Sequence, residues 1–179
     1  MNRWYILHSS DNRALDAGIR LSSLGMRTFC PTEYRATTIG EDKVWEQFPS
    51  RPDLLFVNGT YDDIRSLITL HDMKSLEFLS TPSSGSITTP VTVSDYDMEN
   101  LMRLVNVGMP QSYSVTEKEI HYRPGGPVRV TEGPFKDIVG RVARIHTQTR
   151  VVVSIPGVIS YATTYIPKHQ MEPCSLSVP

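Results

Sequence analysis

The chain of 179 residues, 39% hydrophobic and with a net charge of −1, is long enough for one domain or two small ones and too balanced in charge for a generic polyphosphate binder. Its two cysteines, Cys30 and Cys174, stand far apart with no C-x-x-C spacing, which removes support for a redox motif or a cysteine-based zinc site and fits a reducing cytoplasm. No apolar run approaches the roughly 18 residues of a membrane span, and the apolar opening turns polar at His8 before a signal-peptide core could form, so a soluble cytoplasmic protein with no membrane partner is expected.

Trp4-Tyr5-Ile6-Leu7 reads as a first strand. Ser10-Asp11 then offers cap chemistry for a helix whose apolar positions Ala14, Ala17, Gly18, Leu21 and Leu24 recur at helical spacing until Gly25 ends it. Residues 26–30 form a second strand stopped by Pro31, and the polar, charge-scattered residues 33–50 read as a long exposed loop or hairpin. Leu54-Leu55-Phe56-Val57 is a buried third strand ending at Asn58-Gly59. Thr60 with Asp63 makes a capping signal ahead of Ile64, Leu67 and Ile68, which predicts a short helix. Leu76-Glu77-Phe78-Leu79 is a fourth short strand, and the Ser/Thr/Pro/Gly cluster at residues 80–90 is a loop feeding Val91-Thr92-Val93. Ser94 with Asp97 repeats the capping signal before the stripe Met98, Leu101, Met102 and Val105. The pattern describes an α+β domain over residues 1–105, an antiparallel sheet flanked by helices.

Periodicity fades after residue 105, and Gly108 and Pro110 place a linker at 106–122. Residues 128–166 contain 18 Val, Ile or Thr, which suits short strands rather than helix. Strands are expected near 128–130, 139–145, 150–155 and 162–166, giving a small all-β, SH3-like barrel over residues 123–173. Charge divides along the same line: residues 1–105 hold 10 Lys and Arg against 14 Asp and Glu, and residues 106–179 hold 8 against 5.

The stretch Gly126-Pro127-Val128-Arg129-Val130-Thr131-Glu132-Gly133-Pro134-Phe135, closed by Gly140-Arg141-Val142, resembles the KOW motif of NusG-like factors and some ribosomal proteins. Val128 and Val130 alternate on a strand, Gly133 supplies a backbone conformation that a side chain opposes, and Pro134 restricts the turn that presents Phe135 either to the barrel interior or to a partner. Gly140 marks a bulge or a close backbone approach. The N-terminal part is similar to the NusG N-terminal domain through Trp4-Tyr5, Phe29-Cys30-Pro31 and residues 51–57, where Arg51, Asp53 and Leu54 replace the family's phenylalanine, glycine and tyrosine while Pro52, Phe56 and Val57 remain. Tyr122-Arg123-Pro124-Gly125, Arg150-Val151-Val152-Val153, Tyr165-Ile166-Pro167 and Pro90-Val91-Thr92-Val93-Ser94-Asp95 look like the UpxY-type antiterminators of capsular polysaccharide operons. The resemblance implies a factor that binds the clamp helices of RNA polymerase, suppresses pausing or termination, and contacts nontemplate DNA or nascent RNA. Its barrel would meet a ribosomal protein or a termination factor.

No catalytic constellation is visible, and no cofactor or metal is expected. His8, His71, His121, His146 and His169 are dispersed without metal-ligand spacing, and Arg123-Pro124-Gly125-Gly126-Pro127 lacks the Lys-Ser/Thr of a phosphate loop. Asp62, Asp63, Asp95 and Asp97 sit where helix N-termini favour negative charge. The candidate polymerase-binding groove is Leu54, Phe56, Phe78, Met98, Leu101 and Met102, with methionine supplying an adaptable wall. Arg13, Arg20, Lys136, Arg141 and Arg144 are candidate nucleic-acid contacts. The alternative class is a ribosome-associated KOW protein that meets RNA through Lys136, Arg141, Arg144 and Arg150.

Overall fold

A computed structural model describes residues 1–40, 42–82, 88–107 and 112–175 of the chain. In order, its elements are β1 (Arg3–Ser9), α1 (Ala14–Ser23), β2 (Arg27–Phe29), β3 (Thr32–Ile39), β4 (Asp42–Pro49), β5 (Leu54–Gly59), α2 (Tyr61–Leu70), β6 (Leu76–Phe78), β7 (Ser80–Pro82), β8 (Thr88–Pro90), β9 (Thr92–Val93), α3 (Asp95–Val105), β10 (Ser112–Ser114), β11 (His121–Val130), β12 (Val139–Ile145), β13 (Gln148–Ile155), β14 (Ile159–Thr163) and β15 (Met171–Pro173). The protein is mixed α+β with mostly antiparallel sheets. Two compact units emerge, one of Met1–Thr32 with Pro49–Met98 and one of Glu33–Phe48 with Glu99–Pro179, so the division falls inside α3.

In the first unit the sheet runs β2-β5-β1-β6, with β9 also paired to β1. The register opposes Trp4 to Asn58, Ile6 to Phe56 and His8 to Leu54, with Tyr5 facing Val57 and Leu7 facing Leu55 between them. Strand alternation therefore sends Leu7, Leu55 and Val57 to one face, where they pack with Ala14 and Leu21 of α1 and Ile64 of α2. Trp4, Ile6, Leu54 and Phe56 on the other face are also buried. That two-sided burial is why β5 reads as a continuous apolar run.

Both predicted caps are formed. Thr60 Oγ1 accepts the Asp63 N–H at 3.2 Å, and Ser94 Oγ accepts the Asp97 N–H at 3.1 Å. α1 begins later than Ser10-Asp11 suggests, because Asp11 accepts hydrogen bonds from the Ser9 hydroxyl and the Arg13 N–H and builds a turn instead. Where a loop is expected at residues 80–90, β7 pairs with β8, and residues 83–87 lie outside the described residues. Thr81, Thr88 and Thr89 favour pairing there, while Pro82 and Pro90 mask the strand signal.

The second unit holds a six-stranded sheet in the order β10-β14-β13-β12-β11-β15. The strands expected at 128–130, 139–145 and 150–155 lie within β11, β12 and β13, and the one expected at 162–166 starts earlier and ends at Thr163. Of the stretch expected as linker, residues 108–111, Gly108 and Pro110 among them, lie outside the described residues. From Ser112 onward it pairs with β14, and Val115 and Ile120 bury against Ala143, Ile145, Val152 and Ala162. The polar residues around them hide this from periodicity. The β3–β4 hairpin belongs to the same unit: the Ser114 hydroxyl and N–H donate to the Glu33 carboxylate at 2.5 and 3.3 Å. Asn100, also in this unit, uses its whole side-chain amide on one residue, donating to the Val139 carbonyl at 2.5 Å and accepting the Val139 N–H at 3.0 Å.

Two glycines explain the sharp features of the motif around β12. Gly133 has φ +77°, and a Cβ on Gly140 would stand 2.5 Å from the Val152 carbonyl oxygen and 2.7 Å from Val151 Cγ1. Backbone cannot yield as a side-chain tip can, so Gly140→Ala should cost about 1–3 kcal/mol by overpacking. Gly126 has open space around its Cβ direction and an ordinary φ, so Gly126→Ala should leave the melting temperature close to the parent's. Equal melting temperatures for the two variants would contradict this packing.

Candidate functional site

The six candidate polymerase-contact residues do not form one groove. Leu54 and Phe56 share a face of β5, whereas Phe78 pairs with Leu7 and so lies on the opposite face. Leu54 is 4% exposed and Phe56, Met98 and Leu101 are 0% exposed, so charge placed at any of them enters a dry interior and costs folding first. Met102 on α3 and Phe78 are half-buried. The sequence shows which residues are apolar; it does not show the pairing register that assigns each strand to a face.

Phe78 belongs instead to an aromatic cluster. Its ring centroid lies 4.7 Å from Tyr61 and 5.6 Å from Tyr5, the latter contact edge-on at 84°. Tyr5 and Tyr61 line an open groove of about 460 Å³ with Arg3, Thr88, Thr89, Pro90 and Thr92. Arg65 adds its guanidinium 5.9 Å from the Tyr61 centroid and donates to the Tyr61 hydroxyl at 3.3 Å. Sequence reasoning missed this groove. The available signal was Tyr5 alternating with buried Trp4, followed by Tyr61 directly after the helix cap.

The departures at Arg51 and Asp53 explain each other. Arg51 donates from Nε to Asp53 Oδ1 at 2.8 Å and from Nη2 to Oδ2 at 2.6 Å, a bidentate pair within the turn that precedes β5. His8 Nε2 lies 3.7 Å from the same carboxylate. Nearby, Cys30 is partly buried with its thiol 3.6 Å from the Leu54 carbonyl, and burial pushes its pKa up to about 11, so it is a neutral thiol at physiological pH.

The basic candidates have different surroundings. Arg13 is paired with Asp16 at 2.9 Å, and Arg20 in the last turn of α1 is exposed. Lys136 lies in the turn after Gly133, and Arg141 and Arg144, three residues apart on β12, point to opposite faces. Arg141 stacks over Tyr122, its guanidinium carbon 4.4 Å from the ring centroid. Arg150 is spent internally, on the Thr163 carbonyl at 2.8 Å, on Gln148 at 2.7 Å and over the Tyr113 ring. Of the motif residues, Val130 and Phe135 are buried at 0% and 4%, Val128 is half-buried, Gly126 and Pro134 are exposed, and Gly140 is buried against β13. Phe135 is thus buried in the second unit rather than presented to a partner.

Among the described residues no group of three or more His, Cys, Asp or Glu could hold a metal ion, and no helix is long and apolar enough to cross a membrane. The arrangement offers apolar and aromatic surface, a few cations and backbone edges, which is binding chemistry. Compared with known families, residues 2–102 match the NusG family, described as transcription termination factor nusG. No curated protein matches the chain.

The Arg51 hydrogen bond holds the Asp53 carboxyl below its ordinary value of 3.8, against desolvation that raises it. A depressed folded pKa means that the pair stabilises the protein above the unfolded carboxyl range, and that this contribution is lost as pH falls through the folded value. Arg51→Gln should therefore move the NMR titration of the Asp53 carboxyl upward and shift the acid limb of unfolding to higher pH. An unmoved Asp53 titration would show that the pair is not formed in solution.

Proposed function

The chain belongs to the NusG family, and on that premise we propose that it is a transcription elongation and antitermination factor that binds the clamp helices of RNA polymerase and suppresses pausing or termination. Members of this family are transcription factors rather than enzymes, and they bind RNA polymerase. The family match over residues 2–102 carries the reading, because it spans the chain from the edge of β1 to within α3. It also favours cytoplasmic action, where transcription and a neutral Cys30 thiol are at home.

The finer reading extends to the second unit. Its β11, the turn at Gly133 and β12 carry the residues that resemble a KOW motif, which supports an SH3-like barrel over residues 123–173, with β10 and residues 115–120 of the expected linker packed against it. The barrel would take a ribosomal protein or a termination factor, and Arg20 and Arg13 of α1 would touch nontemplate DNA. The strings shared with UpxY-type factors favour service to polysaccharide biosynthesis operons.

Of the candidate contact residues Leu54, Phe56, Met98 and Leu101 are buried, so we place the polymerase contact on the α3 stripe through Met102. Met102 is its half-buried member, so a charge there tests the contact without opening the core. The tagged full-length chain should recover RNA polymerase from an extract of its own organism, and recovery should survive RNase. Met102→Asp, with an unchanged melting temperature, should weaken binding at least tenfold, about 1.4 kcal/mol. Undiminished recovery by folded Met102→Asp would remove this placement. Recovery of ribosomal components alone, lost on RNase treatment, would replace the polymerase reading by that of a ribosome-associated RNA binder.

A further inference from the structure

We propose that the groove of the first unit lined by Tyr5 and Tyr61 is a docking site for a proline-rich segment of a partner protein that carries an acidic residue. The sheet supplies one side of it. Arg3 and Tyr5 alternate onto the same face of β1, and Thr92 of β9 pairs with Tyr5 and joins them there. Tyr61, the first residue of α2, supplies the second ring, its centroid 6.2 Å from that of Tyr5 and its plane tilted by 56°. Thr88, Thr89 and Pro90 of β8 complete the lining of the open groove of about 460 Å³.

The rings are held in place before any partner arrives. Phe78 meets Tyr5 edge-on at 5.6 Å and Tyr61 at 4.7 Å. Arg65 donates to the Tyr61 hydroxyl at 3.3 Å, and its guanidinium lies 5.9 Å from the same ring. Such preset aromatic walls lose little freedom on binding, and a polyproline II segment loses little either, because each proline ring already fixes φ. Aromatic-lined grooves are where segments of this kind dock.

Hydrogen bonding and charge favour the same occupant. The Arg3 guanidinium can only donate, and the phenol and threonine hydroxyls can each turn a proton toward the groove. A proline-rich chain answers with carbonyls that have no partner of their own, and its prolines bring no N–H for the walls to satisfy. None of the described lining residues is acidic. Among the described residues neither Arg3 nor Arg65 makes an ion pair, whereas Arg13, Arg35, Arg51 and Lys74 each do. A glutamate or aspartate in the segment therefore meets an uncompensated cation at Arg3. The groove is open rather than enclosed, which suits a chain that enters and leaves better than a buried small molecule.

The test needs no polymerase, so its failure leaves the polymerase reading standing. Fluorescence anisotropy of the full-length chain is measured with a labelled peptide Pro-Pro-Pro-Pro-Glu-Pro. The comparison arms are the same peptide with lysine in place of glutamate, a form with glycine in place of every proline, and a labelled oligothymidylate. The proline–glutamate peptide should bind about tenfold more tightly than the flexible glycine form, and more tightly than the lysine form. Tyr61→Ala should weaken it about tenfold, as truncation of a ring in the middle of a contact does. Tyr5→Phe keeps the ring and removes one hydroxyl donor, and should weaken binding about fivefold. Arg3→Gln should abolish the preference for glutamate over lysine. Lys74→Gln should match the parent, and all variants should melt as the parent does. The proposal is overturned if the parent does not bind the peptide, if the glycine form binds as tightly, or if folded Tyr61→Ala or Arg3→Gln behaves like the parent. Binding of the oligothymidylate in place of the peptide, lost in Tyr61→Ala, would overturn it in favour of a nucleic-acid site.

Discussion

Strand β1 pairs with β5, β6 and β9, and one register, Ile6 against Phe56 and Leu7 against Leu55, decides what each face of the first unit contains. Because side chains alternate with a period of two, a slip by one residue would turn Leu7 and Tyr5 away from α1 and α2 and bring Trp4 and Ile6 under them. The bidentate Arg51–Asp53 pair and the Ser9 N–H bond to the Asp53 carbonyl at 2.8 Å hold this register at one end. The aromatic groove depends on it too, since Tyr5 meets Phe78 and Tyr61 only when it faces Val57.

The second unit obeys the same constraint with one deliberate exception. Its hairpins keep β12, β13 and β14 in regular antiparallel pairing, and Gly140 lets β12 approach the Val152 carbonyl closely. Beside these, β11 departs by the bulge at residues 123–126. A regular sheet buries or pairs its polar backbone; an irregularity in one strand is where side chains can be presented without dismantling the core.

Local chemistry was the legible part. Thr60 and Ser94 announce their helices because a cap needs only residues within one turn, and Leu54-Leu55-Phe56-Val57 announces a strand buried on both faces. Gly133 and Gly140 likewise declare special backbone, and the structure supplies a positive φ for one and a close carbonyl for the other. What escaped depends on distant partners. β10 is three polar-flanked residues that become a strand only against β14, and β15 becomes one only against the edge of β11 that faces away from β12. Phe78 looks like a companion of Phe56 until pairing with Leu7 sends it to the other face. Arg150 looks like a surface cation until its Thr163 and Gln148 bonds are seen.

Family membership, an aromatic and apolar first unit and a mildly basic stretch over residues 106–179 fit a protein whose work is to hold other macromolecules. The most direct measurement of that claim is single-round transcription by purified RNA polymerase of the same organism, through a pause site and an intrinsic terminator, with and without the full-length chain. The account predicts shorter pauses and more full-length transcript in proportion to added protein, up to saturation. Unchanged pausing and termination at saturating, correctly folded protein would contradict it.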